Sequence, residues 1–466
     1  MSYDLKPLIY FSAIVTYCFG CAVTTIADNN PLRPNHDSQV QTVVTRNLAT
    51  LDLPFNLSHG GRFPSMDQSL ALTAGFYTLS HSAIGHLWTQ INWGRYDTLI
   101  EKTLTIISVT LFDLSTVALP LADAWLHEEW HRAVMNHRGI SSFNDIYYLD
   151  LFAEMIAVSH VDDRDLVRLK QKYPAEQIRL SEAGIEGEQQ LVLKLERDNF
   201  FSRKNAWHYF LYWLIKLNSL SYVVSGNSTE VDELTDEFNQ KEGRNIEVRD
   251  FTGHDFTAWV YDLHRPQEAY QKRGIHPAGV GLDRYIKFSD LTSDERIFLR
   301  RQARLQWLNL LDPYLIGLKG GRIPTSTPLR FNLSLGHMLT SFGYTIDTHL
   351  FLQRGWANLF IVGHRYFNHQ RHFSGLEIQL IDYPLNWSNN RLLVTSELGV
   401  WTQPKAQSFY TDRASLGGLF ALKIYRLLSD RWAVFLGGKI KSVGWVAGDI
   451  SLDQSLTANI GLAMTR

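Results

Sequence analysis

Leu456-Thr457-Ala458-Asn459-Ile460-Gly461-Leu462-Ala463-Met464 places an apolar or small side chain at every second position almost to the C-terminus. A period of two marks a strand with one apolar and one polar face. The same alternation recurs upstream, at 432–441, 420–425, 392–400, 376–380, 344–352 and 331–336, with a noisier stretch at 356–366. Asn389-Asn390 and Ser429-Asp430 supply tight-turn residues between the strands. About eight strands are expected, each long enough to cross a membrane when tilted. Two architectures share this pattern. A membrane barrel turns its apolar face to lipid and its polar face to a lumen. A soluble sandwich or barrel turns the apolar face inward.

The period changes at Gly320-Gly321. Upstream, from about residue 66, the pattern is helical. Residues 103–118 and 209–224 are apolar apart from Asp113 and Lys216, so neither is a clean bilayer span, and both read as buried helices. Ser293-Asp294-Glu295-Arg296 opens another helix, with Ser293 as the expected cap. The expected fold class is therefore α+β: a helical domain over 66–320, then an antiparallel β-barrel over 328–466. Residues 28–65 carry four prolines and His59-Gly60-Gly61, and read as an irregular lead-in. Residues 1–27 read as a secretory leader, with Asp28 after the expected cleavage point. Cys18 and Cys21 are the only cysteines and both fall inside it, so no disulfide or thiol chemistry is expected of the mature chain.

Composition narrows the function classes. Of 466 residues, 45% are hydrophobic and 20% charged, which excludes wholesale disorder. A net charge of -2 argues against a nucleic-acid binder, which would show a basic excess. The strand lengths, the 12% aromatic content and a last strand running to the terminus resemble the outer-membrane β-barrel class. The ending Thr465-Arg466 departs from that class, which usually ends on an aromatic residue. The resemblance implies a membrane partner and an envelope location, in the outer membrane or periplasm.

The sharpest chemical signal is His127-Glu128-Glu129-Trp130-His131 on an expected helix over 121–135. Residues four apart share a helix face, so His127 and His131 can reach one ion. Chance alone yields about 0.03 such motifs in a chain of this composition. The arrangement resembles the H-E-x-x-H motif of zincin metallopeptidases. That resemblance implies zinc on His127 and His131, with Glu128 as general base toward a zinc-activated water.

A third ligand must come from elsewhere. Glu182-Ala183-Gly184-Ile185-Glu186 resembles the second helix of gluzincins, where small residues allow close packing. It implies Glu186 as the third ligand, with Glu182 as the alternative and His160 as a rival. Asp123, four residues before His127, is the expected carboxylate behind a ligand imidazole. Glu129 is expected to face solvent or to support the site from behind. His254-Asp255, Asp262-Leu263-His264 and Asp283-Arg284-Tyr285 are candidates to line a cleft. His364, His369 and His372 read as solvated loop residues. The chain is thus expected to be a zinc-dependent hydrolase of the cell envelope acting on peptides or proteins. The alternatives are a non-catalytic envelope barrel and an intramembrane metalloprotease.

Overall fold

The computed structural model describes residues 45–53, 64–91, 97–119, 121–148, 157–202, 207–387 and 390–465. The leader with Cys18 and Cys21, the loop His59-Gly60-Gly61 and Asn389 lie outside the described residues. The chain is α+β. Strand β1 (Thr45–Asp52) precedes helices α1 (Met66–Thr89), α2 (Asp97–Ala118) and α3 (Asp123–His137). The short strands β2 (Phe143–Asn144) and β3 (Val158–Ser159) pair with each other. Helices α4 (Asp163–Lys172), α5 (Pro174–Phe201), α6 (Tyr209–Ser225), α7 (Glu230–Glu242), α8 (Asp255–His264) and α9 (Ser293–Leu305) follow. The C-terminal part is strands β4 (Gly321–Ile323), β5 (Leu329–Thr340), β6 (Gly343–Arg354), β7 (Ala357–Phe367), β8 (His372–Trp387), β9 (Asn390–Pro404), β10 (Ala414–Leu427), β11 (Trp432–Lys441) and β12 (Ser455–Thr465).

Local chemistry explains the helix boundaries. Ser65 and Gln68 form a reciprocal capping box at the start of α1. Pro174 starts α5, where its missing N–H costs nothing. Thr292 caps α9 through Glu295, one residue before the expected cap at Ser293.

All eight expected strands between 328 and 466 form, as one antiparallel meander β5 to β12. Two further strands extend it. β4 pairs with β5, and β1, inside the stretch expected to be irregular, pairs with β12. The ten-stranded sheet is not closed into the expected barrel: among the described residues β1 and β4 remain its two edges. It is nonetheless strongly curled. Thr45 at the start of β1 donates from its N and Oγ1 to Asp382 of β8, at 2.7 and 2.6 Å. Helix α1 runs along the β1 edge, where Gly75 lets the Leu48 backbone approach; a Cβ there would sit 3.2 Å from the Leu48 carbonyl oxygen.

The long helix α5 fills the curl and is buried over most of its length. Its C-terminal end packs Phe200 on Phe351 of β6. Further back, Gln190 reaches Met338 of β5 and Glu182 accepts from Trp445 Nε1 beyond β11. The inner sheet face carries polar and charged side chains among buried aromatic ones such as Phe351 and Phe360. His364 pairs with Asp347 at 2.9 Å, and Arg197 of α5 donates to Gln379 at 2.8 Å. His364 is therefore a strand residue in a buried network, not the solvated loop residue expected. No single helix among the described residues is long and apolar enough to cross a membrane; residues 98–118 and 123–137, bent by 43°, pass that test only together.

Candidate metal centre

Helices α3 and α5 pack closely because α5 carries glycine where they touch. A Cβ on Gly184 would lie 2.3 Å from the His127 ring, and one on Gly187 2.9 Å from the Trp130 ring. The small residues noted in the sequence therefore serve the close packing anticipated for them. They bring α5 against the rings of His127 and Trp130.

Each imidazole is held from behind through Nδ1. His127 Nδ1 meets Glu188 Oε1 at 2.9 Å, and His131 Nδ1 meets the Leu180 carbonyl oxygen at 2.6 Å. A carbonyl can only accept, so His131 Nδ1 carries a proton, and in the neutral ring this leaves the lone pair on Nε2. Glu188 is itself held by the Ser219 hydroxyl and by Asn218 Nδ2. Both Nε2 atoms then point to one oxygen. Asp255 Oδ2 lies 3.3 Å from His127 Nε2 and 3.4 Å from His131 Nε2.

Asp255 reaches this place because the chain turns into α8 beside the motif. Asp250 accepts from the backbone N of Phe251 and Gly253, and Gly253 takes φ +70°. His254 caps the helix by accepting from Phe256 N at 3.3 Å. Asp255 is the first residue of α8, where the helix dipole favours a carboxylate. Burial opposes its ionisation, but the imidazoles of His131 and His127 outweigh this and hold the carboxyl below its usual range. Burial also opposes charge on His127, yet Asp255 and Glu188 raise its pKa well above the ordinary value. Tyr222 Oη donates to Asp255 Oδ2 at 3.2 Å, and burial beside that carboxylate keeps the phenol protonated.

His127, His131 and Asp255 form a buried group able to hold a metal ion, with one donor atom from each within 4.8 Å of the others. The donor chemistry fits a divalent cation, being two imidazole nitrogens and a carboxylate oxygen. A tetrahedron with bonds of about 2.0–2.1 Å has edges of about 3.3 Å. The two His–Asp separations, 3.3 and 3.4 Å, match that edge.

Glu128 sits half-buried beside the group. Burial pushes its carboxyl up to about 8; His127 opposes this, and Asp255, Asp145 and Glu129 add to it. Glu186 and Glu182, the expected third ligand and its alternative, are not in the group. Glu186 accepts from Arg179 Nη2 at 2.8 Å and from Gly448 N at 2.7 Å, while Glu182 meets Trp445. Their helix face is turned to the sheet because Gly184 and Glu188 face α3. Asp123 accepts from Tyr77 Oη at 3.0 Å, and the carboxylate behind His127 is Glu188. Glu129 is buried, with Arg132 Nη1 at 2.7 Å and Asn144 Nδ2 at 3.0 Å. His160 is exposed, 2.8 Å from Ser159 Oγ. Asp262 is tied to Lys170 at 3.0 Å and Arg273 at 2.8 Å, so it braces the fold.

The one residue of the group that the motif did not disclose is Asp255. His254-Asp255 had only its polarity to recommend it, and 124 residues separate it from His131 with no shared period. Comparison with protein-family models, with curated proteins and with solved structures finds no match to this chain.

Proposed function

We propose that the chain is a zinc-dependent hydrolase acting on peptide or protein substrates. The carrying observation is the convergence of His127 Nε2, His131 Nε2 and Asp255 Oδ2, with both Nδ1 atoms held by acceptors behind them. Bound zinc would supply Lewis acidity toward a carbonyl oxygen and toward water. Glu128 follows the first ligand in sequence and is the proton acceptor for an attacking water, returning the proton to the departing amine. With a cation held by His127, His131 and Asp255, the Glu128 carboxyl would be drawn down toward the range a general base needs. Tyr222 steadies Asp255 with a neutral hydroxyl. Glu188 and the Leu180 carbonyl fix the imidazole tautomers.

The test is metal analysis and turnover on the full chain. About one equivalent of zinc, lost in His127→Ala and Asp255→Ala, is expected. Glu128→Gln should keep the zinc and lose peptide hydrolysis. Zinc retained unchanged in both ligand variants would remove this reading in favour of a non-catalytic envelope protein. Stoichiometric iron in place of zinc would reassign the group, because two imidazoles and a carboxylate also suit iron(II).

A further inference from the structure

The outer face of the sheet is apolar, whereas its inner face mixes charged and polar side chains with aromatic ones such as Phe351, Phe360 and Phe435, a distribution unlike that of a sheet with its polar face to water. Inward residues include Asp347 and Asn358, both 0% exposed, and Gln379 at 8%. Outward residues Leu333, Leu398, Phe420, Leu436 and Leu456 are 49–56% exposed. Register pairs Leu398 with Phe420, Ile440 with Phe420 and Ile440 with Leu456, so these side chains form rows across neighbouring strands. The outward positions of 392–400, 416–424, 434–440 and 456–464 hold no ionisable residue. About nine residues per strand match the apolar band of about 25 Å that lipid-facing strands present. The inner space is already filled by α5, so this face cannot be a core turned the other way.

The apolar surface continues past both sheet edges. Beyond β1 lie Phe76 and Leu79 of α1, 41% and 44% exposed, then Ile107 and Leu111 of α2, 41% and 62%. Along the free part of β5, where Leu335 N donates to the Leu311 carbonyl, lie Leu311 and Ile316, 55% and 57% exposed. One end of the strands carries a distinct rim. Arg322, Arg354, Arg426 and Arg431 are exposed there, with Trp356 and Trp432 at 44% and 41%. In the turns at that end, 324–328, 355–356 and 428–431, Asp430 is the one acid in the sequence. Arginine with tryptophan complements anionic lipid head groups at a membrane interface.

We propose that bilayer hydrocarbon covers this belt, and that α1 and α2 face lipid where the sheet is open. The wall is then built of strands and two helices. An open sheet edge in hydrocarbon leaves backbone groups without partners, whereas a helix satisfies its own. Helix α1, packed on β1, shields that edge from lipid. The inference does not depend on the metal reading, but it places the metal group. From Phe200 near the arginine rim to Glu182 at Trp445, α5 rises about 27 Å. Glu188 and its partner His127 therefore lie toward the opposite boundary of the belt, the side where the helical domain stands.

Site-directed spin labelling of the full chain tests this. Cys18 and Cys21 are replaced by Ser, and single cysteines are introduced as Phe76→Cys, Leu111→Cys, Leu398→Cys and Phe420→Cys, with Arg431→Cys as rim control. In phosphatidylethanolamine–phosphatidylglycerol vesicles the four belt labels should collide with oxygen at least tenfold more than with a water-soluble nickel chelate. The control should show the reverse. Nickel access at Phe76→Cys and Leu111→Cys alone would overturn the mixed wall. Nickel access at all four would overturn the bilayer assignment. Protection without lipid, in a defined dimer, would give the face to a second copy and overturn it as well. The unaltered chain guards against misfolded variants: brominated acyl chains should quench its tryptophan fluorescence, and no quenching would sink the proposal.

Discussion

The metal group and the sheet interior both bury charge, but they do so differently. Around His127, polar atoms converge on a point: two imidazoles and Asp255 aim at one small volume, and Glu188 and Leu180 stand behind. Inside the sheet, polar atoms spread along a surface and pair locally, as His364 does with Asp347 and Lys439 with Asp449 at 2.6 Å. Convergence leaves donor atoms to be satisfied by a ligand. Local pairing leaves a filled interior and pushes apolar side chains out. Helix α5 serves both regions, glycine-lined toward α3 and polar toward the strands.

The largest test of that contrast removes a converging atom. Asp255→Ala should lower metal affinity by about 100-fold or more, since loss of even a supporting partner costs 10–100-fold. Glu186→Gln and Glu182→Gln should leave the stoichiometry intact. Competition with a chelator reads both, and equal losses in all three variants would break the distinction. Next comes the outer face. Leu398→Arg should destabilise the lipid-embedded chain by about 2–4 kcal/mol, and Thr402→Arg, nearer the end of the same strand, by only about 0–1 kcal/mol. Denaturant titration in vesicles distinguishes them, and equal costs would argue for water on that face.

A smaller effect is expected at Glu188→Gln. It should weaken metal binding by about 10–100-fold without unfolding the chain, because it loosens His127 and removes no ligand. The smallest is expected far from both regions. Asp162 caps α4 and its carboxyl is lowered to about 2, chiefly by hydrogen bonds from Arg164. Asp162→Ala should cost about 0.5–1 kcal/mol at neutral pH, as caps do. A lowered carboxyl contributes above its unfolded value near 3.9 and loses that contribution as pH falls through the folded value. The gap between the two proteins should therefore persist at pH 5 and close toward pH 2.

How much was legible follows from range. His127, Glu128 and His131 sit within one helical turn, so the motif is a local statement. Strand alternation is local too, and all eight strands of 328–466 appear. Glu186 misled because flanking small residues mark the face that meets α3, while Glu186 itself lies on the other side with Arg179. Glu188, two residues on, faces the imidazole. β1 was unreadable because its short run lies among prolines, and it becomes a strand only by pairing with β12. Closure into a barrel failed for a reason no period records: α1 lies along β1.

What the residues dictated unaided was period and proximity along the chain: which stretches are helix or strand, and that two histidines share a face. Folding decided the rest. Asp255 arrives from 124 residues away because Gly253 and Asp250 turn the chain, and alternation cannot say which strand face meets water. That choice fell to α5, which occupies the inner side with charged groups that must be paired, and so leaves the apolar rows outside.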